Sequence, residues 1–336
     1  MSWKILSYLS TVIMATTVSF ALTWLLMPLL RRYALAKPNA RSSHKHPTPQ
    51  GAGIAVIAAT LVTAAVFAFT MDAEISLNAL GATLFIAIVG AADDIKSLPV
   101  LTRLLAQTIA VGAILSTASS HLRLYPIYPL WIEQCVLLLA GIWFINLVNF
   151  MDGLDWMTVA EVVPIGGALV ALGYLGHVPP AIALIAGALG GALLGFAPFN
   201  RPVAKVFLGD VGSLPIGLLL GWCLLELAYQ GYLAAALLLP LYYLADATVT
   251  MLRRLVTGDK IWTAHRCHFY QRAADNGTPV IQIVRLVFAA NILLAAMAIV
   301  SVTIPSPFVT ALALAGGATI VALMLFRFSW QHPRKA

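Results

Sequence analysis

Residues 135–155 read CVLLLAGIWFINLVNFMDGLD, an apolar run that ends in two amides and two carboxylates. An apolar run of about 20 residues is long enough to cross a bilayer as a helix. In hydrocarbon such a segment has to satisfy its own backbone hydrogen bonds, and a helix does so. This stretch therefore predicts a membrane-spanning helix with a polar end at one surface.

Similar apolar runs recur along the whole chain. Of the 336 residues, 61% are apolar and 10% are charged, whereas a soluble domain carries about 25% charged residues. The sequence predicts an all-α polytopic integral membrane protein, with residues 1–336 forming one domain of about eleven transmembrane helices. The predicted spans are 5–30, 53–71, 75–92, 104–118, 128–148, 157–176, 180–198, 212–230, 232–252, 280–303 and 308–326.

The net charge of +7 follows a topological pattern. Lys and Arg cluster after the first, third, seventh, ninth and eleventh predicted spans, and the opposite loops hold little beyond Lys4 and Arg123. Cytoplasmic loops of membrane proteins carry this excess of positive charge. We therefore expect the N-terminus outside and the C-terminus in the cytoplasm, and no nucleic-acid partner.

Acidic residues gather on the same predicted face. A structural membrane protein has no need to segregate its acids, whereas an enzyme whose soluble substrate arrives from the cytosol does. We therefore expect catalytic loops on the cytoplasmic side. These loops are 31–52, 93–103, 149–157, 199–213 and 253–279.

Two polar clusters end predicted spans. Asp93 and Asp94 are adjacent carboxylates whose repulsion a divalent cation or a shared proton would relieve, and a solvated helix end is the simpler alternative. Asn149 and Asp152 lie three residues apart, so they occupy one helical face. Gly153 then lets the backbone turn and approach a ligand closely. This second cluster favours a binding function.

Two further clusters are less regular. Asp210 lies between glycines at the predicted start of the eighth span, where free N–H groups favour anions. Taken alone, it is either an N-cap or a metal ligand. The segment from His265 to Arg272 mixes His and Arg, which suits a pyrophosphate. A zinc site with His265, Cys267 and His268 is the alternative, but it lacks a fourth ligand nearby.

Four carboxylates fall inside predicted spans: Glu133 and Glu226 lie near the outer ends of their helices, and the other two are Glu161 and Asp246. A carboxylate there costs roughly 2.5–3.5 kcal/mol on insertion scales, and proton-coupled carriers use such acids. A carrier places its site near the bilayer midplane, whereas most acids of this chain lie at one surface. The pattern favours an enzyme over a transporter, with a catalytically inactive scaffold as a third alternative.

In this order, the four clusters resemble the polyprenyl-phosphate N-acetylhexosamine-1-phosphate transferase superfamily, glycosyltransferase family 4. The resemblance includes the loop from Pro38 to Gly53 and covers nearly the whole chain. It implies transfer of a sugar-1-phosphate from a UDP-sugar to undecaprenyl phosphate, with release of UMP, at the cytoplasmic face of the bacterial inner membrane. The implied cofactor is Mg²⁺, with Mn²⁺ as a substitute, and the bilayer and a second copy in a homodimer are further implied partners.

The resemblance also implies roles for individual residues. Asp210 and Asp94 would bind the metal, and Asp93, Asp94 and Asp152 would be catalytic. The remaining implied residues surround the nucleotide, the sugar or the phosphates. They are Lys45, Arg103, Asn149, Gly153, Leu154, Asp155, Phe207, His265, Arg266 and His268.

Three positions depart from the family pattern. Many members carry an Asp two residues before the loop proline, where this chain has Ala36. The usual glycine after the residue matching Asp155 is Trp156. The triple His of peptidoglycan-type members is absent, because residues 265–268 read HRCH. That loop looks more like the loop of O-antigen-initiating members, and a peptidoglycan- or teichoic-acid-type transferase is the alternative within the family. The sequence does not identify the sugar.

Overall fold

The computed structural model describes residues 3–36, 47–116, 123–260 and 265–330. Within these ranges the chain forms thirteen α-helices and two very short strands. In chain order they are α1 (Trp3–Tyr33), β1 (Leu35–Ala36), β2 (Thr48–Pro49), α2 (Gly53–Thr70), α3 (Leu77–Ile95), α4 (Val100–Leu115), α5 (Leu130–Met151), α6 (Met157–Tyr174), α7 (Pro180–Phe196), α8 (Asp210–Tyr229), α9 (Leu233–Leu238), α10 (Leu241–Val256), α11 (Phe269–Asp275), α12 (Val280–Thr303) and α13 (Pro307–Ser329).

Eight of the helices in the described ranges are long and apolar enough to cross a membrane. The helices α4 and α7 are apolar but shorter, with 16 and 17 residues. The ninth predicted span is broken into α9 and α10 at Pro240, because proline lacks the N–H that would continue a helix. The polytopic helical architecture is therefore confirmed, while the count of eleven spans and the orientation stay predictions.

A small β structure joins two of the predicted cytoplasmic loops. The strands β1 and β2 pair antiparallel, with Leu35 opposite Pro49. The N–H of Phe207 donates to the carbonyl of Pro49 at 2.8 Å, and the N–H of Ala52 donates back to the carbonyl of Phe207 at 3.1 Å. The segments that precede α2 and α8 are therefore held side by side, which the all-α prediction did not include.

The helix α8 brings the polar helix ends together. It packs against α3 on one side and α5 on another. At Gly90 of α3, an added Cβ would clash with the backbone carbonyl of Asp210. Glycine permits this close approach because it has no Cβ, so the end of α3 that carries Asp93 and Asp94 lies against the start of α8.

Candidate active site

The polar helix ends and loops line one cleft of about 1560 Å³. Most of the residues that the sequence predicts for the site contribute to its lining. They are Asp93, Asp94, Arg103, Asn149, Asp152, Gly153, Leu154, Asp155, Phe207 and Asp210. Lys45 lies outside the described residues. His265, Arg266 and His268 are described but do not line the cleft.

Asp94 caps the N-terminus of α8 from a neighbouring helix. Its Oδ1 accepts the N–H of Asp210 at 2.9 Å, and its Oδ2 accepts the N–H of Val211 at 3.0 Å. Gly209, with φ of 77°, supplies the turn that exposes these groups. Because Asp94 takes the free N–H groups, the side chain of Asp210 is not the N-cap and faces the cleft instead.

The carboxylate of Asp210 is held by α5. The Nδ2 of Asn149 donates to Oδ1 of Asp210 at 2.7 Å and lies 2.8 Å from the Oγ of Ser213. The carboxyl group of Asp93 is within hydrogen-bonding reach of Asp210 as well. Two carboxyl groups this close require a shared proton or a cation between them.

Asp93 has its own supports on the other side. Its Oδ1 accepts the N–H of Leu98 at 2.5 Å, and its Oδ2 pairs with Arg103 at 3.2 Å. Arg103 therefore neutralises part of the acidic cluster. The solvated helix end, which the sequence left as the alternative for this pair of aspartates, does not describe these contacts.

Asp152 lies on the loop that follows α5. The hydroxyl of Thr158 donates to its Oδ1. Burial raises the pKa of Asp152 to about 7, while the bond from Thr158 opposes this rise. A carboxyl group with this pKa exchanges its proton near neutral pH, as a general base should.

Trp156 adopts the conformation that explains the usual glycine at its position. Its φ is 66°, in the left-handed region, which costs a non-glycine residue about 1–3 kcal/mol. Its backbone N–H donates to Oδ1 of Asn200 at 2.8 Å, and its indole N–H donates to the carbonyl of Ala197 at 2.6 Å. These two bonds stabilise a side chain that now forms part of the cleft wall.

The segment around α11 is organised by Asp246, which is fully buried. The carboxylate of Asp246 accepts the N–H groups of Phe269 at 3.0 Å and Tyr270 at 3.2 Å. It also lies 3.2 Å from Nδ1 of His268, which is 2% exposed. His268 is thus engaged with Asp246 rather than with the cleft.

This segment packs behind the loop that carries Asp152. The hydroxyl of Tyr270 donates to the carbonyl of Phe150 at 2.9 Å, and an added Cβ at Gly153 would clash with that hydroxyl. The glycine is therefore required here by a protein side chain. Within the described ranges no three His, Cys, Asp or Glu side chains are arranged to hold a metal by themselves, neither at His265, Cys267 and His268 nor in the acidic cluster.

Several cleft residues were missed by the sequence reasoning. Gln50 donates to the backbone carbonyl of Asp94 at 3.2 Å, and Arg201 and Arg285 line the cleft. Arg285 falls within the tenth predicted span. An ionisable residue inside a span is itself a functional signal, and it could have identified Arg285 from the sequence.

Comparisons with known proteins identify a family match and several relatives. Residues 76–228 match the model of glycosyl transferase family 4. The chain is 32% identical over 227 residues to decaprenyl-phosphate N-acetylglucosaminephosphotransferase of Mycolicibacterium smegmatis. That alignment covers 60% of this chain and 55% of the relative, so it spans little more than half of the relative's length.

Two other relatives align over more of their length. The decaprenyl-phosphate N-acetylglucosaminephosphotransferase of Mycobacterium leprae is 26% identical over 314 residues, covering 82% of this chain and 78% of the relative. The phospho-N-acetylmuramoyl-pentapeptide-transferase of Streptococcus mutans is 28% identical over 278 residues, covering 73% and 80%. The family match and these relatives support the polyprenyl-phosphate N-acetylhexosamine-1-phosphate transferase superfamily, to whose members the chain is similar.

Proposed function

We propose that this protein transfers a sugar-1-phosphate of the N-acetylhexosamine type from a UDP-sugar to undecaprenyl phosphate. The observation that carries the proposal is the convergence of Asp93, Asp94, Asn149, Asp152 and Asp210 on one cleft. These residues come from three helix ends that are distant in the sequence. The names of the relatives support a polyprenyl phosphate as the acceptor.

The reaction forms one phosphoanhydride bond and breaks another. An oxygen of the lipid phosphate attacks the phosphorus that carries the sugar, and the bond from that phosphorus to the bridging oxygen breaks. UMP leaves with that oxygen, and the product is undecaprenyl-diphospho-sugar. Such a transfer depends mainly on positioning and on neutralisation of charge.

The acidic cluster fits Mg²⁺. The adjoining carboxyl groups of Asp93 and Asp210 require a shared proton or a cation, and Mg²⁺ takes one or two carboxylates and completes its shell with phosphate oxygens and water. When bound, the ion would neutralise the phosphates of the donor. Asp210 would be the principal ligand, with Asn149 fixing its orientation. Asp94 would hold the start of α8 in place and leave its remaining lone pairs for the ion.

Asp152 is the proposed base. Its pKa of about 7 is matched to removal of the last proton from a phosphate monoester, and its position in the lining of the same cleft supports this role. Thr158 fixes the orientation of its carboxylate. Asp155, which accepts the N–H of Ala204 at 3.0 Å, holds the α7–α8 loop against the loop that follows α5.

The transporter alternative is less well supported. The intramembrane acids that a carrier would use are Glu161 and Asp246, and neither lines the cleft. Oε2 of Glu161 accepts a hydrogen bond from Asn291 at 2.6 Å, and Asp246 caps α11. Both carboxylates are therefore engaged in joining helices.

A donor panel tests the proposal. Protein purified in detergent would be incubated with Mg²⁺, undecaprenyl phosphate and a set of UDP-sugars, and release of UMP and formation of the lipid-linked sugar would be measured. We expect one or a few donors to react, and no reaction when Mg²⁺ is chelated. Failure of every donor in folded protein would contradict the proposal.

We also propose that the cleft opens to the cytoplasm of a bacterial cell, in the inner membrane, and that the product starts an O-antigen or a related envelope polysaccharide. Reporter fusions after Lys96 and Arg254 should be cytoplasmic, and fusions after Ser120 and Pro305 external. A reversed result would place the cleft away from cytosolic nucleotide-sugars.

A further inference from the structure

Two arginines line the cleft apart from the acidic cluster. Arg201 is on the loop between α7 and α8, and Arg285 is on α12. In the part of the chain that the structure describes, neither has an ion-pair partner. Arg103, by contrast, is already paired with Asp93. The cleft thus has two uncompensated guanidinium groups, which are suited to an anion that arrives from outside.

Arg285 lies at an unusual depth for a charged residue. The helix α12 begins at Val280 and is one of the candidate membrane spans. With a rise of 1.5 Å per residue, Arg285 is about 7.5 Å along the helix from its first residue. An arginine near the end of a span extends its head group towards the membrane surface. The guanidinium is therefore expected at the depth of lipid phosphates.

The same face of α12 continues as exposed apolar surface. Phe288 and Ile292 are 38% and 48% exposed, and they follow Arg285 by three and seven residues, which places all three on one side of the helix. On the opposite side, Ile283, Val287 and Leu294 are buried in the core. One helix face therefore presents a cation above an apolar stripe. This pattern matches a phosphate carried on a long hydrocarbon chain.

We propose that Arg285, together with Arg201, binds the phosphate of the isoprenoid acceptor lipid as it enters the cleft from the bilayer along α12. This assignment rests on the proposed function, because it takes the acceptor to be a polyprenyl phosphate. A guanidinium group binds phosphate through paired, charge-assisted hydrogen bonds. It would hold the acceptor anion near a cleft wall whose aspartates would otherwise repel it.

Arginine at a helix end has a simpler role, which is to anchor the helix at the membrane surface. Arg327 provides the matched control for that role. It is an exposed arginine in the last turn of α13, and it does not line the cleft. An effect of anchoring alone would appear in both arginine variants, whereas phosphate binding would appear only in the Arg285 variant.

The test compares Arg285→Gln, Arg201→Gln and Arg327→Gln in the full chain, with initial rates measured against each substrate in turn. Charged hydrogen bonds of this kind predict a rise of about 10–100-fold in the KM for undecaprenyl phosphate in Arg285→Gln. The KM for the UDP-sugar should stay unchanged. Arg201→Gln should show a smaller rise in the same constant, and Arg327→Gln should show none.

Three results would overturn the assignment. One is a rise in the donor KM alone, which would place the arginines at the nucleotide phosphates. Another is an unchanged acceptor KM in Arg285→Gln, and the third is an equal effect in Arg327→Gln.

If the wild type releases no UMP, the proposed function fails, and equilibrium binding then decides the lipid site separately. Wild type should bind undecaprenyl phosphate more tightly than undecaprenol, and Arg285→Gln should lose that preference; equal binding of both lipids by the wild type would overturn the site.

Discussion

Asp94 and Asp246 make the same local contact in two regions of the molecule. Each carboxylate accepts two successive backbone N–H groups at a helix N-terminus, Asp94 from α8 and Asp246 from α11. Such contacts satisfy N–H donors that a helix leaves unpaired, and the positive end of the helix dipole stabilises the carboxylate. The first region lines the cleft, whereas the second is closed around a fully buried Asp246.

The difference lies in the side chains of the capped helix. The first residue of α8 is Asp210, whose carboxylate faces the cleft beside Asn149. The first residues of α11 are Phe269 and Tyr270, which are 6% and 0% exposed and pack in the core. In this chain the capped helix start lines the cleft where its first residue carries a polar side chain towards open space. Otherwise it supports a neighbouring loop, as α11 supports the loop of Asp152.

The largest effect is expected from Asp210→Ala. Loss of the proposed Mg²⁺ ligand should reduce the rate of transfer about a thousandfold or more, because a metal bound there would supply several kcal/mol of charge stabilisation. The protein should stay folded in the membrane. Asp259→Ala is the matched control, since Asp259 is exposed and pairs with Arg254 outside the cleft. Substantial activity in folded Asp210→Ala would remove this residue from the reaction.

Asp246→Ala should have the opposite effect to Asp210→Ala: it should destabilise the fold rather than act directly on catalysis. Removal of a buried carboxylate that joins α10 to α11 should lower the free energy of unfolding by about 3 kcal/mol or more. Thermal unfolding in detergent would measure the loss, and activity would be expressed per folded molecule. If this variant kept its thermal stability and lost catalysis, the two regions would be functionally alike and the comparison would be wrong.

Thr158→Val sharpens the assignment of Asp152 as the base. The hydroxyl of Thr158 stabilises the ionised carboxylate, so its removal raises the pKa of Asp152 further above about 7. The acidic limb of the pH profile of kcat/KM should therefore move to higher pH, by up to about one unit for one hydrogen bond. Thr158→Ser retains the donor and should keep the original limb. An unmoved limb in Thr158→Val would mean that another group titrates.

Trp156→Phe should have the smallest effect. It keeps an aromatic ring in the left-handed conformation but deletes the indole bond to the carbonyl of Ala197. One such bond contributes about 1 kcal/mol, so the midpoint of thermal unfolding should fall by only about 1–2 °C for a chain of this size. Trp330→Phe, at an exposed ring, should show no shift. A loss of thermal stability as large as that of Asp246→Ala would indicate that Trp156 organises the whole loop between α5 and α6.

The sequence predicted much of this fold because the bilayer leaves few choices. A long apolar run has to form a helix in hydrocarbon, so the positions of α1, α5, α12 and α13 follow from composition and length. The same reasoning predicted that polar residues would gather where the runs end. It failed at α10, because the break at Pro240 divides a segment that reads as one continuous span.

Site residues were predictable where they interrupt an apolar run. Asp93, Asn149, Asp152 and Asp210 stand at such interruptions and line the cleft. The segment of His265 and His268 interrupts the pattern equally well, yet it lies behind the cleft wall. Periodicity and spacing identify a polar residue at a helix end, but they do not say which way that end faces.

The amino-acid sequence by itself therefore determined that the chain is a helical membrane protein with acidic clusters at helix ends, because hydrophobicity and local spacing act along the chain. Tertiary structure decided which clusters meet. Asp94 reaches the N-terminus of α8 across 116 residues of sequence, and it does so because Gly90 lets α3 lie against that helix. Contacts of this kind depend on the packing of side chains between helices, a property of three dimensions that no single segment contains.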